Sequence, residues 1–339
     1  MAANATKLDR VDQDAATTGN PLIDGVTRAW DLLVQQVDEL LGWSPLAPEP
    51  DARTPAALSD GELREAMSRA AAALVAAIAQ GRPLGPAEAA EADQRWRFNL
   101  PATVEAHVLA MFTEADDAFR LAISSLADQA SPAALAPAGR LAEILARIRW
   151  LLEPAGADER RERGYALTAE AIDRLQAASE YAEEAGDDDT AGLAGEIADR
   201  TETMAARLAE LREEDGLAAL RVPKRRKLLR SHLPGGGLEL FAVLSAAGPA
   251  AVAPSALFYA ERGTRDPLRG FQRLHLTRAF WLAHAFTWYA GICEAAAPVL
   301  RRAEWADATA AARARFGALT QEAARRYQER VGRGLHPGL

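Results

Sequence analysis

Apolar residues recur at intervals of three and four along most of the chain, which is the period of an α-helix with one buried face. The clearest stripe precedes Pro154 and consists of Leu141, Ile144, Leu145, Ile148, Leu151 and Leu152. A second stripe consists of Leu193, Ile197, Met204, Leu208 and Leu211. Period-two alternation of β-branched residues is absent from the sequence, so the pattern predicts helices and no strand.

The pattern as a whole predicts an all-α fold, a multi-helix bundle of about eight to ten helices with a tethered N-terminal helical arm. A polar tail over 1–19 is predicted to be disordered, and the arm covers 20–43. A proline-rich linker covers 44–57. The bundle domain then covers 58–335, with a sub-boundary at 216–237.

Local signals place some of these helices. Ser59 and Glu62 have the spacing of a capping box, which predicts a helix that ends at Gly81. Residues 157–185 form one long charged helix in this interpretation, and a further helix begins at Thr190. Because the turn between them is short, the two are predicted to form an antiparallel hairpin. In the first of these helices, the residues predicted to share one buried face are Tyr165, Ile172, Leu175 and Ala182.

Composition agrees with a helical fold and limits the function. The chain has 78 alanines and 36 arginines against 3 lysines, and alanine and arginine are both strong helix formers. Its formal charge of −9 argues against binding nucleic acid over the whole surface. A single cysteine, Cys293, excludes an intrachain disulfide and fits a cytoplasmic protein. No metal-ligand or cofactor motif is present, so we expect neither a metal nor a cofactor.

One basic segment stands out in this acidic protein. It contains Arg221, Lys224, Arg225, Arg226, Lys227 and Arg230. Arginine forks match phosphate and carboxylate oxygens, so this segment is a candidate binding site for nucleic acid or for an acidic partner. It has no interleaved aromatic residues of the kind that stack on bases. The alternative interpretation is a solvated loop that balances the acidic hairpin before it.

A long helix over about 267–297 concentrates aromatic residues. Trp281, His284 and Trp288 are spaced three and four apart and therefore share a face. That face either lines a pocket, together with Arg278 and Glu294, or packs in the core around a hydrogen-bonded histidine. The core interpretation is the favoured one.

Arginine and histidine also recur six positions apart, as in Arg278/His284 and Arg226/His232. This spacing is similar to that of HEPN-type ribonucleases. The resemblance implies that the histidine handles a proton on a 2′-hydroxyl or a leaving oxygen while the arginine holds the phosphate. With 36 arginines in the chain, the spacing also arises by chance.

A longer resemblance covers about half of the chain, from Leu141 to Pro298. Its two segments are ARIRWLLEPAGADERRERGYALTAEAI and LRVPKRRKLLRSHLPGGGLELFAVLSAAGPAAV. They resemble uncharacterised helical proteins of actinobacteria, which have a WLL-P segment and a later LS-x-x-x-H-G-like segment. Ala247, Gly248 and Pro249 stand where the histidine is expected after Leu244-Ser245. The resemblance therefore implies a helical fold and no particular activity.

Taken together, these features predict a non-catalytic or regulatory helical interaction module that forms a homo-oligomer and has a local basic patch. A metal-independent ribonuclease of the HEPN type is the first alternative. A membrane-associated protein acting through 238–300 is the second, because the 21 residues from Leu240 to Ala260 carry no charge. Pro249 and Pro254 within that segment favour two short buried helices instead.

Overall fold

The computed structural model describes residues 54–79, 104–127, 135–185, 188–233 and 275–332. All regular secondary structure in these ranges is helical, which confirms the predicted all-α class. A 3₁₀ turn at Pro55–Ala57 is followed by eight α-helices: α1 (Asp60–Ala79), α2 (Val104–Ala127), α3 (Leu135–Leu152), α4 (Ala157–Ala185), α5 (Asp188–Asp215), α6 (Arg225–His232), α7 (His275–Val299) and α8 (Ala303–Gly332). The predicted tail over 1–19 and arm over 20–43 lie outside the described residues.

The first described helix begins as its sequence predicts. The backbone N–H of Ser59 donates to Glu62 Oε2 at 2.8 Å, and the N–H of Glu62 donates to Ser59 Oγ at 3.3 Å, so the capping box is present. From α8, Arg326 donates to Asp60 at 3.0 Å and to the carbonyl of Pro55 at 3.1 Å. The start of α1 is therefore tied to the last described helix.

Helix α7 forms the centre of the bundle. Every residue from 278 to 293 is buried, and α7 contacts α1, α2, α3 and α8. Aromatic rings fill two of these contacts: Phe119 stacks on Tyr289 with ring centroids 4.3 Å apart, and Phe286 stacks on Phe316 at 3.9 Å. A helix that is apolar on all sides is stable only when neighbours enclose it, which fixes the arrangement of the other four helices.

Helices α4 and α5 form the predicted antiparallel hairpin, which has a small core of its own. That core consists of Tyr165, Ile172 and Leu208, with Met204 and Leu211 partly buried beside it. The prediction that Leu175 lies on the buried face is wrong, since its side chain is 40% exposed. The side chains of Ala182 and Leu193 lie outside the described residues.

The connection after α5 leads from the hairpin to the bundle. Leu217 packs on the hairpin core, whereas Leu220 and Val222 pack on the main core. The basic segment then forms α6, a helix that the interpretation as a solvated loop missed. Its leucines explain the difference, because Leu228 and Leu229 are buried and provide the apolar side that a short helix needs.

None of the helices in the described ranges combines the length and the apolar character needed to cross a bilayer. The uncharged segment 240–260, which raised that question, lies outside those ranges. Within the 238–300 range proposed for membrane association, α7 directs its described apolar side chains at its four neighbouring helices.

Candidate anion-binding surface on α6

Helix α6 is fastened to α3 along one side. Leu228, Leu229 and Leu233 are buried in the main core, and α3 is the principal neighbour of α6. At the start of α6, Arg225 Nε lies 3.3 Å from Glu143 Oε2. At its end, the carbonyl of His232 accepts a hydrogen bond from Arg149 Nη1 at 3.4 Å. The orientation of the helix is therefore fixed by apolar packing and by polar contacts at both ends.

The opposite side of α6 is cationic. Successive residues of an α-helix are rotated by about 100°, which places Arg226, Lys227 and Arg230 within one arc of about 100°. All three side chains are exposed, as are those of Lys224 and Arg221 just before the helix. No carboxylate of the described residues forms an ion pair with any of these five. Together they form what we call the α6 basic face, defined by Arg221, Lys224, Arg226, Lys227 and Arg230.

This placement of charge is locally unfavourable. The N-terminus of a helix carries a partial positive charge that favours acidic residues, yet the first turn of α6 contains cations and no acidic residue. Arg226 and Arg230 are also like charges four positions apart, which destabilises an isolated helix by about 0.2–0.5 kcal/mol. An anion bound across this face would relieve both repulsions.

An ion network joins α6 to the rest of the molecule. The carboxylate of Glu143 lies 3.5 Å from both Arg140 and Arg147 on its own helix, in addition to its contact with Arg225. Arg147 then makes a two-pronged contact with Glu170 of α4, at 2.5 and 3.0 Å. The Arg147 guanidinium lowers the pKa of Glu170 below its usual value. The network thus links α6, α3 and the hairpin, and it uses Arg225 for structure while leaving the α6 basic face exposed.

The Arg226/His232 pair occupies the two ends of α6. Six positions along a helix separate two residues by about 9 Å along the axis and by about 120° around it, so these side chains diverge. His232 lies near Glu153, Arg163 and Arg149, and burial is the main cause that lowers its pKa. The structure therefore brings His232 to the corner of α3 and places Arg226 on the basic face.

The Arg278/His284 pair lies in the interior. Arg278 is 3% exposed and its Nε donates to the carbonyl of Leu126 at 2.9 Å. His284 is surrounded by the rings of Phe280, Trp281 and Trp288, and burial lowers its pKa to about 3. The imidazole is therefore neutral at physiological pH and enclosed, so an RNA phosphate does not reach it in this conformation.

The three aromatic-helix residues considered for a pocket are also enclosed. Trp281, His284 and Trp288 are each less than 5% exposed and belong to or border the main core. Glu294, which we grouped with them, is exposed and pairs with Arg313 of α8 at 2.8 and 2.9 Å. These positions are those of core packing around α7.

Sequence reasoning missed a polar cluster between α2 and α7. The hydroxyl of Tyr289 donates to Asp116 Oδ1 at 2.6 Å, and Arg120 donates to Oδ2 of the same carboxylate at 2.7 Å. Cys293 lies beside Tyr289, and burial raises the pKa of its thiol to about 12, which makes it a poor nucleophile. Within the described part of the chain, no group of three or more potential ligands is arranged to hold a metal ion.

Comparisons of the chain with protein-family models, with curated proteins and with solved structures find no match. The resemblance to helical proteins of actinobacteria and to HEPN-type ribonucleases therefore stays a prediction from the sequence, and the functional conclusion rests on the α6 basic face itself.

Proposed function

We propose that this protein is a non-catalytic helical interaction module whose α6 basic face binds an acidic protein surface. One observation carries the proposal: α6 is anchored by its leucines and by Arg225. The three cations on its other side and the two just before the helix are exposed and have no carboxylate partner among the described residues. A rigid support with unpaired charge is suited to recognition, because little side-chain packing has to change when a partner binds.

The charge of the neighbouring hairpin favours a protein partner over nucleic acid. Residues 157–215 contain 18 acidic and 7 basic side chains, a net charge of −11, and they directly precede the connection to α6. A long polyanion that crosses α6 has to pass this field, and the repulsion extends about 8–10 Å at physiological salt. A folded acidic surface presents its charge locally and can avoid the hairpin.

The test uses two anionic probes: a fluorescent poly-glutamate of only about eight residues, which presents its charge locally, and a single-stranded DNA of about 30 nucleotides, which is a long polyanion. We expect poly-glutamate to bind the intact chain in a salt-sensitive manner. The variant Arg226→Gln/Lys227→Gln/Arg230→Gln should weaken that binding by about tenfold or more, because each lost cation removes one attractive contact. The readout is fluorescence anisotropy at several salt concentrations.

A matched control separates the α6 basic face from net charge. The variant Arg69→Gln/Arg207→Gln/Arg315→Gln removes three exposed arginines from α1, α5 and α8 and has the same formal charge as the α6 variant. It should bind poly-glutamate within about twofold of the intact chain. Equal losses in the two variants would refute the assignment to α6. Tighter binding of the DNA, lost only in the α6 variant, would show that the face serves nucleic acid.

A further inference from the structure

The outer half of the hairpin sequence, residues 173–201, is strongly acidic. It contains nine acidic and two basic side chains, a net charge of −7. Asp173, Ala177, Glu180 and Glu184 follow each other at steps of four, three and four, so they lie on one face of α4. All four are exposed. We call this face the α4 acidic stripe.

The hairpin interior leaves this stripe available. Between α4 and α5, Ser179 Oγ donates to the carbonyl of Ala194 at 2.8 Å, so the inner side of α4 contains Ser179, about 100° around the helix from Glu180. Neither Glu180 nor Glu184 forms an ion pair with a described residue. Beside them, the side chain of Tyr181 is 74% exposed, more than those of Leu121 and Leu175, the other large hydrophobic residues exposed in the described part of the chain.

The α4 acidic stripe and the α6 basic face match in sign and in spacing. Glu180 and Glu184 are four positions apart, as are Arg226 and Arg230, and each interval corresponds to about 6 Å along a helix. Two helices that lie side by side at 8–10 Å allow guanidinium and carboxylate groups to meet at such an interval. The small side chain of Ala177 permits this approach, and Tyr181 adds an amphipathic contact of the type found at interface hot spots.

Within one molecule, no ion pair joins these two surfaces among the described residues. Arg225 at the start of α6 is linked through Glu143 and Arg147 to Glu170, whereas Glu180 lies ten residues farther along the same helix, about 15 Å from Glu170. Both surfaces are therefore available to a second copy.

We propose that the α6 basic face of one molecule binds the α4 acidic stripe of a second copy, and this inference rests on the proposed function of α6 as a site for acidic protein. The charge of the whole chain supports a second copy as the partner. Residues 157–215 have a net charge of −11 while the rest of the chain has +2, so each copy carries both an acidic and a basic surface. In a dimer with a two-fold axis, each copy would contribute its basic face to one such contact and its acidic stripe to the other.

Complementary charge reversal tests this pairing. The hairpin variant is Glu180→Arg/Glu184→Arg, and the α6 variant is Arg226→Glu/Arg230→Glu. Each variant alone places like charges opposite each other, so we expect its self-association to be weaker than that of the intact chain by about tenfold or more. An equimolar mixture restores both attractive contacts, so association should return. The measurement is sedimentation velocity of the full chain over a range of concentrations and salt.

Recovery in the mixture also excludes misfolding, because two unfolded variants would not restore a specific complex. An intact chain that stays monomeric at about 100 μM in low salt, or a mixture that stays dissociated, would overturn the inference; this threshold corresponds to an interaction of about −5.5 kcal/mol. Poly-glutamate binding that persists under either result would leave the function of α6 in place and remove only the second copy as its partner. Loss of both would remove both.

Discussion

Helix α7 and the α4–α5 hairpin show two ways in which one alanine-rich chain makes long helices. Between Arg278 and Glu294, α7 has no charged residue and is enclosed by four helices. In α4, 12 of 29 residues are charged, and its outer half buries little beyond Ser179. The first region owes its stability to burial, and the second depends more on helix propensity and on ion pairs.

The difference extends to what each region can do. A side chain in α7 is held by neighbours on all sides, so its polar groups, such as the Tyr289 hydroxyl that donates to Asp116 of α2, serve the packing of the bundle. In the hairpin and in α6, one side of each helix packs against a neighbouring helix and the other side is exposed to solvent. If the proposed function is correct, substitutions in the two regions should have separable effects on stability and on association.

The largest expected effect is in the main core. Phe119→Ala removes a ring that stacks on Tyr289 at 4.3 Å and contacts Phe286, and it should lower the free energy of unfolding by about 3–5 kcal/mol. Ile172→Ala is the counterpart in the hairpin core, where fewer neighbours enclose the side chain, and about 1–2 kcal/mol is expected. Urea denaturation measures both values. Equal losses would mean that the hairpin is as tightly packed as the bundle.

Burial of His284 should make the core sensitive to acid. Its folded pKa of about 3 lies below the unfolded value near 6.5, so the stabilising contribution is complete above pH 6.5 and is lost as the pH falls toward 3. The loss approaches about 1.4 kcal/mol per pH unit, or about 2 kcal/mol at pH 5. His284→Leu should remove this dependence. Denaturation curves between pH 7 and pH 4.5 provide the measurement.

His232→Gln is the control for that experiment. Burial also lowers the pKa of His232, but this side chain is partly exposed at the corner of α6, so its removal should change the pH dependence less. If the free energy of unfolding changes with pH in the same way for the intact chain and for His284→Leu, the conclusion that His284 is neutral and enclosed is wrong.

The sequence predicted the helical class and the hairpin because periodicity reports which face of a helix is buried. It failed at Leu175, whose place in the stripe suggested burial, because the two helices of the hairpin cover only a narrow seam and nothing described covers its flank. It also missed α6, because six cations within ten residues suggested a solvated loop although Leu228 and Leu229 provide an apolar side. A short helix of this kind is recognised from its leucines once α3 is known to lie beneath them.

The basic segment was identified from the sequence, but the roles of its members were not. Periodicity places Arg225 on the side of Leu228 and Leu229, but it does not identify Glu143 as its partner, since that depends on where α3 lies. In the same way, the six-residue spacing of Arg278 and His284 does not show whether these two side chains are buried or exposed. The partner of Arg225 and the burial of His284 both depend on how the helices pack together, which local sequence patterns do not show.

The ion pair that joins the two regions should have an intermediate effect. Arg147→Met keeps the length of the side chain but removes the contact between α3 and Glu170 of α4, and about 1–2 kcal/mol of stability should be lost. Because Arg147 lowers the pKa of Glu170, its contribution is present above the unfolded value near 4.5 and is lost as the pH falls further. The variant should therefore lose less stability than the intact chain below pH 4.5.

A second arginine on the same carboxylate provides the control. Arg174 contacts Glu170 at 2.8 Å but is 58% exposed, so Arg174→Met should cost less than about 0.5 kcal/mol. Hydrogen exchange adds a spatial readout: Arg147→Met should increase exchange in α4 more than in α7. Uniform changes across both helices would show that the hairpin and the bundle unfold as one unit.

The smallest effect on folding is expected at the exposed ring of the hairpin. Tyr181→Ser removes a side chain that is 74% exposed, so the free energy of unfolding should change by less than about 0.5 kcal/mol. If Tyr181 lies in the interface between copies, the same substitution should weaken self-association by about fivefold or more, since truncating a buried interface tyrosine commonly costs above 1 kcal/mol.

Leu121→Ser is the matched control, because Leu121 is 58% exposed on α2, away from the α4 acidic stripe. The Tyr181 variant should therefore lose association while keeping its stability, whereas the Leu121 variant should change neither. If Tyr181→Ser instead lowers the stability without weakening association, the ring of Tyr181 supports the fold of the hairpin itself. The hairpin would then depend on side-chain packing, as the core does, more than the exposed surface of α4 indicates.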